Sequence, residues 1–454
     1  MDKKTIRRFK EIVGADNMDT TEEGRIVHAY DATRIHHKPD VILYPKKAKQ
    51  VSEILSLCNE KNLPVYPRGA GSGFAGGSVP VQGGVALVMN RMNRILGIYP
   101  DDLYAEVEPG VVNGAFQKKV EELGLFYPPD PGSMAFCTLG GNVATGAGGL
   151  RSLKYGVTRD YVLGLEAVLP NGEIIQAGVK TLKGVVGYDL TRLIIGSEGT
   201  LAVVTKIRLK LIPLPESART ALAIFPTHRD AGVTVSRIIA SRILPCTLEF
   251  MDGNCIRAVE QMFQLGLPTH AGAYLLIEVD GAPEETEREI LKVREVCLHH
   301  NAEEVRMAED EESRQNLWKA RRSISQAIHS PGLTKINEDI AVPRSRIPEM
   351  LDYLQHLSEK TKLRILSFGH AGDGNLHVNI LAEEENLTIA KNAVEKIFKG
   401  VLELGGTISA EHGVGITKSP YIQMEVQAPA LSAMKRIKEA LDPKGILNPG
   451  KIFP

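Results

Sequence analysis

The sequence predicts an α+β protein of two domains, and three observations predict it. Its 454 residues exceed what one hydrophobic core ordinarily serves. Segments with the period of a helix and segments with the period of a strand stand side by side in both halves of the chain. The pattern lapses at residues 212–218, IPLPESA, where two prolines interrupt it, as at a domain boundary. The division expected is an N-terminal segment 1–36, a first domain 37–214 and a second domain 215–454.

Each element follows from local pattern. A strand is expected at 41–44, then a helix over 46–61 in which Val51, Ile54, Leu55 and Cys58 share one face. Pro64-Val65-Tyr66-Pro67 reads as a short strand running into glycine. Strands at 84–90 and 103–107 precede a helix with Phe116, Val120 and Leu123 on one side, ended by Gly124. Residues 162–169 and 173–175 flank Asn171-Gly172, a hairpin signal, and 201–211 alternate apolar with polar. Past the boundary come strands at 273–279, 363–368 and 375–381, with helices near 284–300, 310–329, 345–360, 385–404 and 422–440. Residues 441–454 are irregular and are expected to return to the first domain.

Composition narrows the function. Lysine plus arginine number 54 and aspartate plus glutamate 55, a balance that points to no nucleic-acid partner and no disordered acidic tail. Five cysteines, odd in number and without C-x-x-C spacing, argue against a disulfide scaffold, a zinc ribbon or an iron–sulfur cluster built from this chain alone. No stretch reaches the roughly 20 apolar residues of a membrane span, and the basic N-terminus lacks the apolar run of a signal peptide. A cytoplasmic location is expected, with a peripheral place at the inner face of a membrane open through a partner.

Glycine is concentrated in three runs. In the first, residues 64–78 read PVYPRGAGSGFAGGS. Gly71, Gly73 and Gly76 satisfy G-x-G-x-x-G, but Pro80, Gly83 and Gly84 follow where a dinucleotide fingerprint would open a helix. The functional reading is a loop of successive N–H groups cradling a pyrophosphate, with Arg68 adding charge; the plain alternative is a turn-rich surface loop. The second run, PDPGSMAFCTLGGNVATGAGGL over 129–150, is stripped of bulk, so that a loop there lets a flat ring lie against main chain. The third, RLIIGSEGTLAVVT over 192–205, carries one acid, Glu198, on a loop before a strand.

The second half carries a different signal. In GHAGDGNLH, Asp373-Gly374 is a favoured two-residue turn, and if it closes a hairpin His370 faces His377, with β-carbons about 4.5 to 5.5 Å apart. Two imidazoles so placed suit one ion. Glu411, in SAEHGVG beside His412, offers the carboxylate that would complete the set, provided that the chain turns at Gly413 so both side chains share one site. Two imidazoles and a carboxylate suit zinc, ferrous iron or manganese, with positions left for substrate.

Together these motifs resemble the vanillyl-alcohol oxidase and p-cresol methylhydroxylase flavoprotein superfamily. SFGHAGDGNLHVNI, SAEHGVG and DPKGILNPGKIF resemble the branch containing the glycolate oxidase flavin subunit, D-lactate dehydrogenase and D-2-hydroxyglutarate dehydrogenase. The resemblance implies a PCMH-type FAD-binding domain followed by an α+β substrate-binding domain, the C-terminal domain of FAD-linked oxidases. It implies FAD contacts from Pro67, Arg68, Gly69, Ala70, Gly71, Ser72, Gly73, Gly76, Gly77 and Ser78 in the first run. The second segment contributes Pro131, Gly132, Ser133, Thr138, Gly140, Gly141, Asn142, Thr145, Gly148, Gly149, Tyr155 and Gly156. The third contributes Glu198, Gly199, Leu201, Val203 and Val204, and the tail contributes Asn448. Some members attach flavin through a histidine in the first loop; this loop has none, Ser72 lying near that place, which implies non-covalent FAD.

The same resemblance makes His370, His377 and Glu411 ligands of one divalent metal and His412 the catalytic base. Arg321, in WKARRSISQ, and Lys335 become carboxylate-binding cations and Asn379 a substrate contact; an arginine fork donates two parallel hydrogen bonds to a carboxylate. The implied reaction is FAD-dependent oxidation of a small D-2-hydroxy acid, of glycolate or D-lactate type, to the 2-keto acid. Electrons would leave through a separate acceptor: a quinone, a cytochrome, an electron-transferring flavoprotein or an iron–sulfur subunit. A homodimer stays open. Two alternatives compete: a metal-dependent hydrolase in which the glycine runs are structural, and a non-redox flavoenzyme of the same fold.

Overall fold

The computed structural model describes residues 1–329 and 332–454, and the chain divides into two units. The first comprises Met1–Gly148, Val157–Leu214 and Glu411–Pro454, the second Gly149–Gly156 and Pro215–Ala410.

In the first unit, a sheet is ordered Met18–Asp19, Val41–Leu43, Val85–Val88, Val65–Arg68, its last three strands parallel. Parallel strands need both faces covered and so read as unbroken apolar runs; Val41–Leu43 and Val85–Val88 are buried throughout. The helix Ala48–Lys61 lays Val51, Ile54, Leu55 and Cys58 into this core, and Asn62 ends it in the left-handed conformation. The N-terminal segment belongs to the same core: helix Lys3–Val13, capped by Asp2, buries Phe9 and Val13. A second, antiparallel sheet is ordered Ile95–Tyr99, Tyr104–Val107, Val203–Lys210, Val162–Val168, Ile174–Gly178, with Asn171-Gly172 at the expected hairpin turn.

The second unit is built on a seven-stranded antiparallel sheet. Its order is Glu304–Met307, Ser217–Phe225, Ala273–Gly281, Thr247–Asp252, Arg364–Gly369, Asn375–Ala382, Thr334–Ala341. Helices Pro283–His299, Glu311–Ala327, Ile347–Thr361 and Leu387–Glu403 form where their patterns place them. The strands Ser217–Phe225, Thr247–Asp252 and Thr334–Ala341 have no counterpart in the expected list.

Three expectations change. The chain rejoins the first unit at Glu411 rather than near residue 441. Val414 and Gly415 donate to the Glu198 carboxylate at 2.7 and 2.8 Å, and Ile416 N–H reaches the Ala75 carbonyl. Residues 149–156 fold with the second unit, because Asp280 takes Lys154 at 2.6 Å and the Tyr155 hydroxyl at 2.8 Å. Within the second glycine run, Leu139–Thr145 is a short helix rather than loop, Thr138 capping it by accepting from Gly141 N–H.

All five cysteines are buried and unpaired. Among the described residues, no helix is long and apolar enough to cross a membrane.

Candidate cofactor cradle and metal centre

In the first unit the glycine runs and the tail converge. No helix follows the first run; Gly71 and Gly76 instead take φ of +71° and +74°, a conformation that favours glycine. A β-carbon on Gly69 would sit 2.3 Å from Thr138 Oγ1, and one on Gly140 would sit 2.5 Å from the Pro109 side chain. The main chain at these two glycines is packed against its own neighbours too closely to leave room for a side chain. Arg68 is buried at the end of its strand, Nη1 donating to Ser78 Oγ at 3.2 Å. These features fit FAD.

The tail seals the run. Asn448 donates from Nδ2 to the carbonyls of Gly77 at 2.9 Å and Glu198 at 2.6 Å, and Lys451 Nζ donates to the Val79 carbonyl. Glu198 is itself buried with φ +52°. Burial pushes its carboxyl pKa up, against the N–H groups of Val414 and Gly415 and the charges of Lys451 and Lys418. Its carboxylate is thus committed to the 414–415 backbone, and that loop is where its structural work lies. Asp31 is buried too and was missed by sequence reasoning; burial raises its pKa against the nearby charges of Arg68 and Lys451. Of the other expected flavin contacts, Gly199, Leu201, Val203 and Val204 run from the third loop into the strand Val203–Lys210. Pro131, Gly132 and Ser133 sit in the turn before Thr138.

Also in the first unit, His412 stacks on Phe74 of the first glycine run, ring centroids 5.1 Å apart and planes at 24°. The chain bends at Glu411 and His412, and Gly413 has φ +85°, the turn these adjacent side chains need. His412 Nε2 stands 3.9 Å from Glu411 Oε1.

In the second unit the hairpin register differs from expectation. Phe368 pairs with His377, so Asp373-Gly374 does not close a two-residue turn. A longer loop does, with the His370 carbonyl accepting from Asp373 and Asn375 N–H. A shift of two residues keeps side chains on the same face, and the rings of His370 and His377 still meet, centroids 5.2 Å apart and planes at 88°.

Each histidine has a buried acid from a neighbouring strand. Phe250 pairs with Gly369, so one step further Glu249 reaches His370, Oε1 to Nδ1 at 2.6 Å. Asp339 pairs directly with His377, Oδ1 lying 3.6 Å from Nδ1, and Asp339 also accepts from Asn375 Nδ2 at 2.7 Å and Ala410 N–H at 3.0 Å. Burial would raise the Glu249 carboxyl pKa, but His370 and Arg321 outweigh it and hold it at about 2.

Arg321 stands on the helix Glu311–Ala327, capped by Asp310. Arg314, Trp318 and Arg321 recur at i, i+4 and i+7, one face, and each reaches a buried acid of the sheet: Glu278 at 2.9 and 3.0 Å for the first two, Glu249 at 2.6 Å for the third. Arg321 therefore has Nε engaged and its guanidinium 4.7 Å over Phe368. Asn379 is completely buried, its amide shared between Asn337 at 2.9 Å and the His377 carbonyl at 3.2 Å. These bonds brace the strands Asn375–Ala382 and Thr334–Ala341 against each other. Lys335 lies on the strand Thr334–Ala341.

Asp339 and His377 offer a carboxylate and an imidazole of the second unit, and Glu411 and His412 offer the same pair of donor types in the first, all of the kind that can hold a metal ion. Asp339 was missed by sequence reasoning, and His370 has its Nδ1 bonded to Glu249. Glu249 had one available signal: an acid between apolar neighbours in a strand, as in Leu248-Glu249-Phe250, is there only if something pairs it; Asp339, in the polar run Asn337-Glu338-Asp339, had none.

Residues 39–178 match the FAD binding domain family and residues 214–452 match the C-terminal domain of FAD linked oxidases. The chain is 46% identical to the glycolate oxidase subunit GlcD of Bacillus subtilis, over 98% of this chain and 95% of that one. It is 37% identical to the D-lactate dehydrogenase of Anaerostipes hadrus, over 98% and 96%. In three dimensions it resembles p-cresol methylhydroxylase at TM-score 0.82 and 18% identity, covering 99% of this chain and 96% of that one. It likewise resembles alkyldihydroxyacetonephosphate synthase at TM-score 0.77 and 19% identity, over 99% and 85%.

Proposed function

Because this chain belongs to the family of FAD-linked oxidases, and is therefore an FAD-binding oxidoreductase, we propose that it oxidises a small D-2-hydroxy acid, glycolate or D-lactate in type, to the 2-keto acid. The observation that carries the reading is that Glu249 holds both His370 and Arg321 in the second unit, with the His377 ring against that of His370. Imidazoles suit a divalent ion, and a guanidinium beside them suits a carboxylate. The relatives that match along nearly their whole length are named for the oxidation of glycolate and D-lactate.

His370, His377 and Glu411 are assigned as ligands of zinc, iron or manganese, with Asp339 backing His377. When bound, FAD is the two-electron acceptor and the ion lowers the pKa of the substrate hydroxyl. Arg321 and Lys335 hold the carboxylate, which fixes the C2 hydrogen in one direction. His412 takes the hydroxyl proton, its ring kept in one plane by Phe74. FAD is bound without a covalent link, since the first glycine loop offers no histidine. With no cluster cysteines, the chain passes its electrons to a separate acceptor.

Anaerobic titration tests the reading. The flavin band near about 450 nm should bleach with glycolate, D-lactate, D-2-hydroxyglutarate or D-malate and persist with L-lactate. If none of these acids bleaches it, the non-redox alternative stands instead; a colourless protein that hydrolyses esters would favour the hydrolase.

A further inference from the structure

Five side chains of the second unit close a ring of contacts. Glu249 meets His370 at 2.6 Å, the His370 and His377 rings lie 5.2 Å apart, and His377 lies 5.3 Å from the Phe368 ring. Phe368 carries the Arg321 guanidinium at 4.7 Å, and Arg321 Nε returns to Glu249 at 2.6 Å. Glu249 is the only acid in this ring, is fully buried, and uses one oxygen on each neighbour.

We propose that Glu249 is a positioning residue that ties carboxylate recognition to metal binding, fixing the orientation of Arg321 and of His370 with the two oxygens of one carboxylate. The inference rests on the function proposed above. An arginine only donates, so Oε2 accepts from Arg321. Oε1 then accepts from His370, which places the imidazole hydrogen on Nδ1 and makes Nε2 the nitrogen with which this ring would ligate an ion. A carboxylate behind a ligating histidine fixes its tautomer and raises its basicity. The same carboxylate occupies Nε of Arg321, so the Nη nitrogens are the donors that a substrate carboxylate would use. Charge-assisted bonds of this kind are short and directional, and a rotation of either partner is resisted by the other through the shared acid.

The test uses the purified flavoprotein and Glu249→Gln, which keeps the shape but sets an NH2 against one of the two donors. Zinc affinity, read by competition with a chelator and without substrate, should fall about 10- to 100-fold. KM for the hydroxy acid should rise about tenfold or more with a smaller change in kcat, while FAD content stays at the wild-type level. In an Arg321→Lys background the KM effect of Glu249→Gln should shrink, because both changes act on one contact, whereas its effect on zinc should persist. Glu249→Asp, which keeps the charge but is too short to span both partners, is read the same way if the glutamine variant does not fold. Zinc affinity and KM both within twofold of wild type, or fully additive KM effects in the double variant, would overturn the proposal. If no hydroxy acid reduces the wild-type flavin, the functional reading falls, yet the zinc competition still reports whether Glu249 sets His370.

Discussion

In the first unit the candidate cofactor cradle is made of main chain: glycines at positive φ, and contacts so close that a single β-carbon at Gly69 or Gly140 has no room. In the second unit the candidate site is made of side chains on and beside a sheet, with acids on two strands behind one histidine in a loop and one on a further strand. The difference teaches what each can tolerate. A backbone-built site fails when anything is added, because space is its substance. A side-chain-built site fails when anything is removed, because each group leaves a buried partner without its bond.

The largest effect is expected where one side chain handles the reacting proton. His412→Ala should slow flavin reduction by about 10²- to 10⁴-fold in stopped-flow absorbance while FAD remains bound; near wild-type reduction would remove His412 from its role. Next comes addition to the cradle. Gly69→Ala should weaken FAD by about one to two orders of magnitude, the equivalent of the roughly 1–3 kcal/mol that overpacking costs. Fluorescence titration of the flavin-free protein checks it, and unchanged affinity would mean that the run is an ordinary loop.

The smallest effect concerns Lys451. Burial draws its pKa from the ordinary 10.5 down to about 8, with Asp31 and Glu198 pulling the other way. Between those values the unfolded chain holds a proton that the folded chain has released, so stability rises with pH across that window. Urea unfolding of the flavin-free protein should show this rise in wild type and a flatter profile in Lys451→Met. Parallel profiles would place the lysine in a more polar setting.

The same contrast explains what could be read from the sequence. Glycine runs announce a backbone-built site through composition alone, and helices such as Ala48–Lys61 and Leu387–Glu403 declare themselves by a long apolar period. The histidines were visible because their chemistry is rare on a glycine-rich turn. Their supporting acids were not, because Glu249 and Asp339 become partners only when strands distant in sequence pair: Phe250 with Gly369, Asp339 with His377. Turn chemistry also misled at Asp373-Gly374, where the favoured two-residue hairpin gave way to a longer loop with Gly374 at φ +91°. Thr138 escaped notice as a helix cap because the helix that it starts is glycine-rich and only seven residues long.

The dependence of flavin reduction on a metal ion tests the central claim most directly. The protein is treated with a chelator, freed of it, and mixed anaerobically with glycolate or D-lactate, with and without added zinc or manganese. The expected result is a flavin that stays oxidised until the ion is restored and then bleaches. Bleaching at an undiminished rate in the metal-free protein would contradict it, and would leave His370 and His377 as structural residues.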